Sequence, residues 1–168
     1  TLPTSGTTGA PKRVFFTAED QELTRDFFHW GMATLVGEGD RVLILLPGSL
    51  PGRVGDLLKE ALERMGAQAI AHGPVTDPRH TLDMMYTEGV TALVGIPVQV
   101  LSLIRGVDAG RCRGGIQVKS VLLSTDRLPQ AVSGAIEQTW DCHVYDHYGM
   151  TEMGLGGGVD CRARAGYH

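Results

Sequence analysis

Apolar residues fall along this chain in two alternating patterns. Short continuous runs occupy residues 41–47 ("RVLILLP"), 67–73, 91–97, 119–125 and 143–149. Each is strand length and is bounded by glycine, proline or polar residues, which reads as a buried β-strand. Between the runs, apolar positions recur every three to four residues, the signature of an amphipathic helix. The first such stretch begins after Thr17, which can cap it, with Asp20 three residues on as a weaker capping box. Leu23, Phe27, Trp30 and Leu35 are expected on its buried face. In residues 53–66 the apolar face is Val54, Leu57, Leu58, Ala61, Leu62 and Met65, and Gly66 stops the helix. Residues 77–89 carry Asp77 as N-cap and Pro78 at the first helical position. Residues 98–106 and 129–140 complete the helices, and a short strand is expected at 13–17.

Strand and helix alternating five times implies an α/β fold. The expected arrangement is a doubly wound, mainly parallel five-stranded sheet with helices on both faces, a flavodoxin-like core. The chain divides into an opening loop and strand (1–17), a β/α core (18–150) and a glycine-rich tail without periodicity (151–168), all within one partial domain. Ligands of such sheets bind beyond the carboxyl ends of the strands. Here those ends read "PGS" (47–49), "HGP" (72–74), "GIP" (95–97), "STD" (124–126) and "HYGMTE" (147–152).

The totals narrow the function. A length of 168 residues, 42% apolar and 20% charged, suits one soluble domain with a real core. The net charge of −4 gives no reason to expect nucleic acid or an anionic membrane as partner. No apolar run is long enough to span a bilayer. The first residues lack the charged start and apolar core of a secretory signal. Cys112, Cys142 and Cys161 are odd in number and widely spaced, which is no disulfide framework and points to the cytoplasm.

The chemistry is concentrated at the two ends. Residues 4–12 read "TSGTTGAPK". Backbone N–H groups of such a loop can form an anion-binding nest, with hydroxyls as added donors and Lys12 as a positive charge. The alternative is a solvated linker. A Walker phosphate loop is excluded: counted from Gly6, Pro11 stands where the second glycine belongs and Arg13 where the metal-binding hydroxyl belongs. This loop also precedes a strand rather than opening a helix. "GLGGGVD" (154–160) opens no helix, so it is read as a loop rather than a dinucleotide fingerprint.

"TSGTTGAPK" resembles the phosphate loop of the adenylate-forming superfamily of acyl-CoA synthetases, adenylation domains and luciferases. "YGMTE", Tyr148 to Glu152, resembles its aromatic-Gly-x-Thr-Glu element. "GIPVQVLSL" and the stretch from His147 to His168 further resemble the phenylacetate–CoA ligase branch. The resemblance implies ATP-dependent activation of a small carboxylic acid, with release of pyrophosphate and transfer of the acyl group to a thiol such as coenzyme A. It implies that Thr4, Ser5, Gly6, Thr7, Thr8, Gly9 and Lys12 hold the β- and γ-phosphates. Thr151 would donate to the α-phosphate, and Glu152 would ligate Mg²⁺. Tyr148 would pack on adenine, with Asp146, His147, Gly149 and Met150 beside it. Ser124, Thr125 and Asp126 stand where relatives carry a glycine-rich, acidic element bordering adenine. Asp126 either supplies that acid or caps the helix near Pro129. Gly95, Ile96 and Pro97 would border the acyl pocket. Cys161 and His168 are candidate ligands of a structural zinc, against a free thiol.

Relatives continue into a small barrel, a hinge and a lid domain that carries a catalytic lysine, and no segment here matches those parts. The chain is therefore expected to be the central nucleotide-binding part of a larger ligase, with the other subdomains as partners and little activity alone. The competing class is a non-catalytic nucleotide-binding module.

Overall fold

A computed structural model of the chain describes residues 1–4, 9–48, 50–108, 115–163 and 165–168. Ser5, Gly6, Thr7 and Thr8 of the opening loop, and Cys112, lie outside the described residues.

Two short strands, β1 (Leu2–Pro3) and β2 (Arg13–Val14), pair antiparallel and bracket the opening loop. The main sheet follows: β3 (Arg41–Ile44), β4 (Gln68–Ala71), β5 (Ala92–Gly95), β6 (Ser120–Leu123), β7 (His143–Tyr148) and β8 (Gly158–Val159). Its order is β4-β3-β5-β6-β7-β8. The first five strands are parallel, in the expected doubly wound, flavodoxin-like order. The sheet is six-stranded rather than five-stranded, because the tail adds β8 antiparallel to β7. Two residues are too few to show a period, so the tail reads as structureless in the sequence. A turn of 3₁₀-helix, Thr151–Met153, joins β7 to β8.

Side-chain alternation along each strand sorts the core into two layers. Val42, Ile44, Val94, Leu122 and Tyr145 face α1 (Ala18–Met32) and α2 (Val54–Arg64). Leu43, Leu45, Leu93, Val121, Leu123 and Val144 face α3 (Pro78–Thr87), α4 (Pro97–Asp108) and α5 (Gln130–Trp140). The caps form as their residue types require. The Thr17 hydroxyl accepts from the Asp20 N–H while the Asp20 carboxylate accepts from the Thr17 N–H, a full capping box. The Asp77 carboxylate accepts from the N–H groups of Arg79 and His80.

The buried face of α1 departs from the sequence expectation. Thr24, Phe28 and Met32 point inward, Phe27 is half-buried, and Leu23 and Trp30 are 65% and 72% exposed. Thr24 can be buried because its hydroxyl reaches two carbonyls, Asp20 at 3.0 Å and Gly154 at 2.9 Å. The second bond ties α1 to the turn after β7. Asp126 does not cap α5: its carboxylate accepts from the adjacent Arg127 N–H, and Pro129 stands at the N-cap without a side-chain bond. Among the described residues no helix is long and apolar enough to cross a membrane.

Candidate active site

The opening loop is closed at its base. The Thr4 N–H donates to the Lys12 carbonyl at 2.9 Å, and the Lys12 N–H donates back to the Thr4 hydroxyl at 3.0 Å. Those bonds extend the β1–β2 ladder by one step and fix Lys12 beside Thr4. The same hairpin reaches the far end of the chain. The Thr151 hydroxyl lies 3.4 Å from the Pro3 carbonyl, a long hydrogen bond between residues 148 positions apart. The strand that leads into the first motif therefore meets the second motif in space.

Where they meet, a cavity of about 580 Å³ opens beyond the carboxyl ends of the parallel strands. Its floor is Leu46, Val94, Ile96 and Leu122, from β3, β5 and β6 and the residues just after them. Strands β3 and β5 flank the point where the strand order reverses, the expected ligand crevice of a doubly wound sheet. Phe28, Gly31 and Met32 of α1 form one wall, and Val54 and Leu58 of α2 the other. The mouth carries Pro3, Thr4, Thr125, Met150, Thr151 and Glu152.

Turn geometry builds that mouth. Gly149 has no room for a side chain: a Cβ there would sit 2.2 Å from the Leu155 carbonyl oxygen and 2.7 Å from the His147 ring. The Leu155 N–H donates to the Met150 carbonyl at 3.0 Å, and the Gly157 N–H to Tyr148 at 3.0 Å, closing the turn. Glu152 is left exposed on it. Across the mouth, Thr125 holds φ = +73°, a left-handed conformation that a β-branched residue rarely adopts.

Strand alternation splits the β7 residues that the sequence groups together. His147 points into the α1 layer, between the rings of Phe27 and Phe28 at centroid distances of 5.8 and 6.3 Å. Its Nδ1 is 2.7 Å from the Ser124 hydroxyl. Burial among these rings lowers its pKa, and the Asp146 charge opposes that only in part. Asp146 and Tyr148 flank it on the other side of the strand. There the Tyr167 hydroxyl donates to Asp146 at 2.6 Å, and the rings of Tyr148 and Tyr167 lie 6.1 Å apart. This bond raises the Tyr167 phenol to about 12.

The cavity thus brings together Thr4, Ile96, Ser124, Thr125 and His147 with residues 149–152. Gly95 and Pro97 are not part of it. A Cβ at Gly95 would meet Leu45 and Val100, which belong to the opposite core layer. Gly9, Lys12 and Asp126 are exposed and outside its lining, as is Tyr148, which is 49% exposed. The wall residues on α1 and α2 carry no polar signature, so the sequence marks them only as core.

Cys161 and His168 do meet, with Sγ 3.0 Å from Nε2, because the Val159 and His168 backbones exchange hydrogen bonds. Among the described residues no group of three or more His, Cys, Asp or Glu side chains is arranged to hold a metal. Cys142 lies elsewhere, buried where α5 leads into β7, and burial raises its thiol to about 12.

Comparison with known proteins bears on this geometry. Among curated proteins none matches the sequence. Among solved structures, 2-hydroxyisobutyryl-CoA ligase, with 2-HIB-AMP and CoA bound, is 20% identical and superposes with a TM-score of 0.82, covering 98% of this chain and 40% of that one. The N-terminal domain of FACL13 from Mycobacterium tuberculosis gives 23% identity and 0.74, covering 97% and 39%. A long-chain-fatty-acid-CoA ligase from Archaeoglobus fulgidus gives 13% and 0.78, covering 96% and 33%. This chain thus spans 33–40% of the length of those proteins and shares their fold. The model of the AMP-binding enzyme family matches residues 2–165, so the chain belongs to that family.

Proposed function

We propose that this chain forms the nucleotide- and acid-binding core of a ligase that converts a carboxylic acid and ATP to an acyl-adenylate and pyrophosphate. A thiol, coenzyme A by resemblance to the phenylacetate–CoA ligase branch, then takes the acyl group. The observation that carries this reading is the contact of the opening hairpin with the turn after β7, at the mouth of an apolar cavity. Polar and hydroxyl groups stand at the mouth and apolar walls lie behind them, which fits a ligand with one charged and one apolar end.

Each group then has a task. The loop closed by Thr4 and Lys12 grips the β- and γ-phosphates, and the Lys12 ammonium stabilises the charge that develops on the departing pyrophosphate. The Thr151 hydroxyl, held among the described residues by a long bond to Pro3, can turn to donate to the α-phosphate. The acid's carboxylate oxygen attacks the α-phosphorus as the bond to pyrophosphate breaks. The apolar walls exclude water, which would otherwise compete as nucleophile. Tyr148 offers its exposed ring to adenine. Glu152 is a single exposed carboxylate at the mouth, which suits a Mg²⁺ ion that takes its remaining ligands from phosphate oxygens and water. When bound, that ion neutralises phosphate charge. Further subdomains would cover the exposed Phe15, Leu23 and Trp30.

Carboxylate-dependent ATP–pyrophosphate exchange by the full-length protein that carries this chain tests the proposal, against a panel of aryl and alkyl acids. Exchange with at least one acid is expected, falling about a hundredfold or more in Lys12→Ala and Glu152→Gln. The 168-residue chain alone is expected to bind nucleotide with little exchange. Nucleotide binding by the full-length protein with no exchange for any acid would establish the non-catalytic module instead.

A further inference from the structure

The tail carries three successive glycines, Gly156, Gly157 and Gly158, and each clears room for an aromatic side chain. A Cβ at Gly156 would sit 2.2 Å from the Phe27 ring, one at Gly157 3.1 Å from the Tyr148 ring, and one at Gly158 2.7 Å from Tyr167 Cβ. Phe27 packs against the α1–α2 core layer. The two tyrosines do not: Tyr148 is 49% exposed and Tyr167 52%.

Strand pairing brings these tyrosines together. Tyr148 pairs with Gly158 across β7 and β8. Reciprocal bonds between Val159 and His168, at 3.1 and 3.0 Å, lay the segment that carries Tyr167 along the other side of β8. Side chains two strands apart start about 10 Å from each other. With no side chain at Gly158 between them, the two rings lean together to a centroid distance of 6.1 Å, tilted by 42°. The Tyr167 hydroxyl donates to Asp146 at 2.6 Å, which fixes that ring from its far end.

We propose that Tyr167, fixed by Asp146, joins Tyr148 in a two-ring platform that selects a purine over a pyrimidine base. The inference rests on the reading of this edge as the nucleotide end of the site.

Position and chemistry point the same way. Tyr148 directly precedes Gly149 and Met150 of the cavity mouth, while neither tyrosine lines the cavity, so the platform lies beside the mouth and outside it. A base stacks on an aromatic face whatever its hydrogen-bonding edge, so the covered area decides the preference. The fused rings of a purine reach past one phenol onto the second, and a pyrimidine covers only one. The Asp146 bond orders the Tyr167 ring before the base arrives, so little side-chain entropy is lost on binding. Tyr167 is therefore a second binding residue for the base, and Asp146 a positioning residue that acts through it.

The test is calorimetric titration of the full-length protein that carries this chain with AMP, CMP and ribose 5-phosphate. AMP is expected to bind about tenfold or more tighter than CMP. Tyr167→Leu keeps apolar bulk over Gly158 without an aromatic face. It is expected to weaken AMP binding by about fivefold or more and to leave ribose 5-phosphate, which has no base, unchanged. Tyr167→Phe keeps the ring without its anchor and is expected to fall between Tyr167→Leu and the unaltered protein, as is Asp146→Ala. Equal losses for AMP and ribose 5-phosphate in Tyr167→Leu, or an AMP-to-CMP ratio that this substitution does not move, overturn the inference. The tyrosines are then mere cover for the glycine, and the ligase reading stands. Failure of AMP to bind the unaltered protein also overturns the inference, and together with failure of every acid in pyrophosphate exchange it overturns the ligase reading too.

Discussion

The two faces of the sheet are built from the same strands yet end differently. On the α3–α5 face, Leu43, Leu45, Leu93, Leu103, Leu123 and Ile136 are fully buried in a closed layer. On the α1–α2 face the core is equally apolar, but it opens at the carboxyl edge into the cavity of about 580 Å³. One face serves stability. The other gives up part of its packing to the cavity, which the proposed function fills with ligand. Burial alone therefore does not mark a residue as purely structural: Val94 and Leu122 are almost wholly buried and still form the cavity floor.

Substitutions sharpen that contrast. Leu103→Ala on the closed face is expected to cost about 3–5 kcal/mol in urea unfolding, because it leaves a void among fixed neighbours. Leu58→Ala, on the cavity wall, is expected to cost about 2 kcal/mol, since one side of Leu58 already faces open space, and to alter acid binding as well. Equal costs would erase the distinction between the faces. Gly149→Ala comes next. Its Cβ would collide with the Leu155 carbonyl, so a loss of about 1–3 kcal/mol is expected together with weaker AMP binding, read by calorimetry.

The doubly wound, mainly parallel sheet with helices on both faces was legible in the sequence, because five continuous apolar runs and their helical partners leave few alternative topologies. The α1 face was not. Leu23, Phe27 and Trp30 form the more hydrophobic stripe, but the stripe turned inward is Thr24, Phe28 and Met32. Tertiary bonding decided it, through the Thr24 hydroxyl and the distant Gly154 carbonyl. Likewise "GIP" was taken whole as pocket, although strand alternation sends only Ile96 toward the cavity and Gly95 to the opposite layer. The meeting of residues 3 and 151 depends on the β1–β2 hairpin, whose two-residue strands carry no readable period.

Smaller effects test the same contrast. The His147 pKa is lowered in the folded chain, so the unfolded chain binds a proton more readily. Stability is then complete above the ordinary histidine value of about 6.5 and is lost as pH falls below it. Unfolding measured from pH 8 to pH 5 is expected to show this loss, and His147→Phe to remove part of it. A profile unchanged by that substitution would contradict the buried, neutral imidazole. Least of all, Leu23→Gln and Trp30→Ser on the exposed stripe of α1 are expected to shift stability by less than about 0.5 kcal/mol. A cost of several kcal/mol would return that stripe to the core.

The central claim is that the hairpin, the turn after β7 and the cavity form one site, with the nucleotide outside and the acid inside. A crystal structure with an acylsulfamoyl adenosine, a stable analogue of an acyl-adenylate, tests it most directly. The account predicts the acyl arm between α1, α2 and the sheet, beside His147, with the sulfamoyl group at Thr151 and the adenine ring against Tyr148. An analogue bound with its acyl arm outside the cavity, or bound away from the Pro3–Thr151 contact, would contradict it.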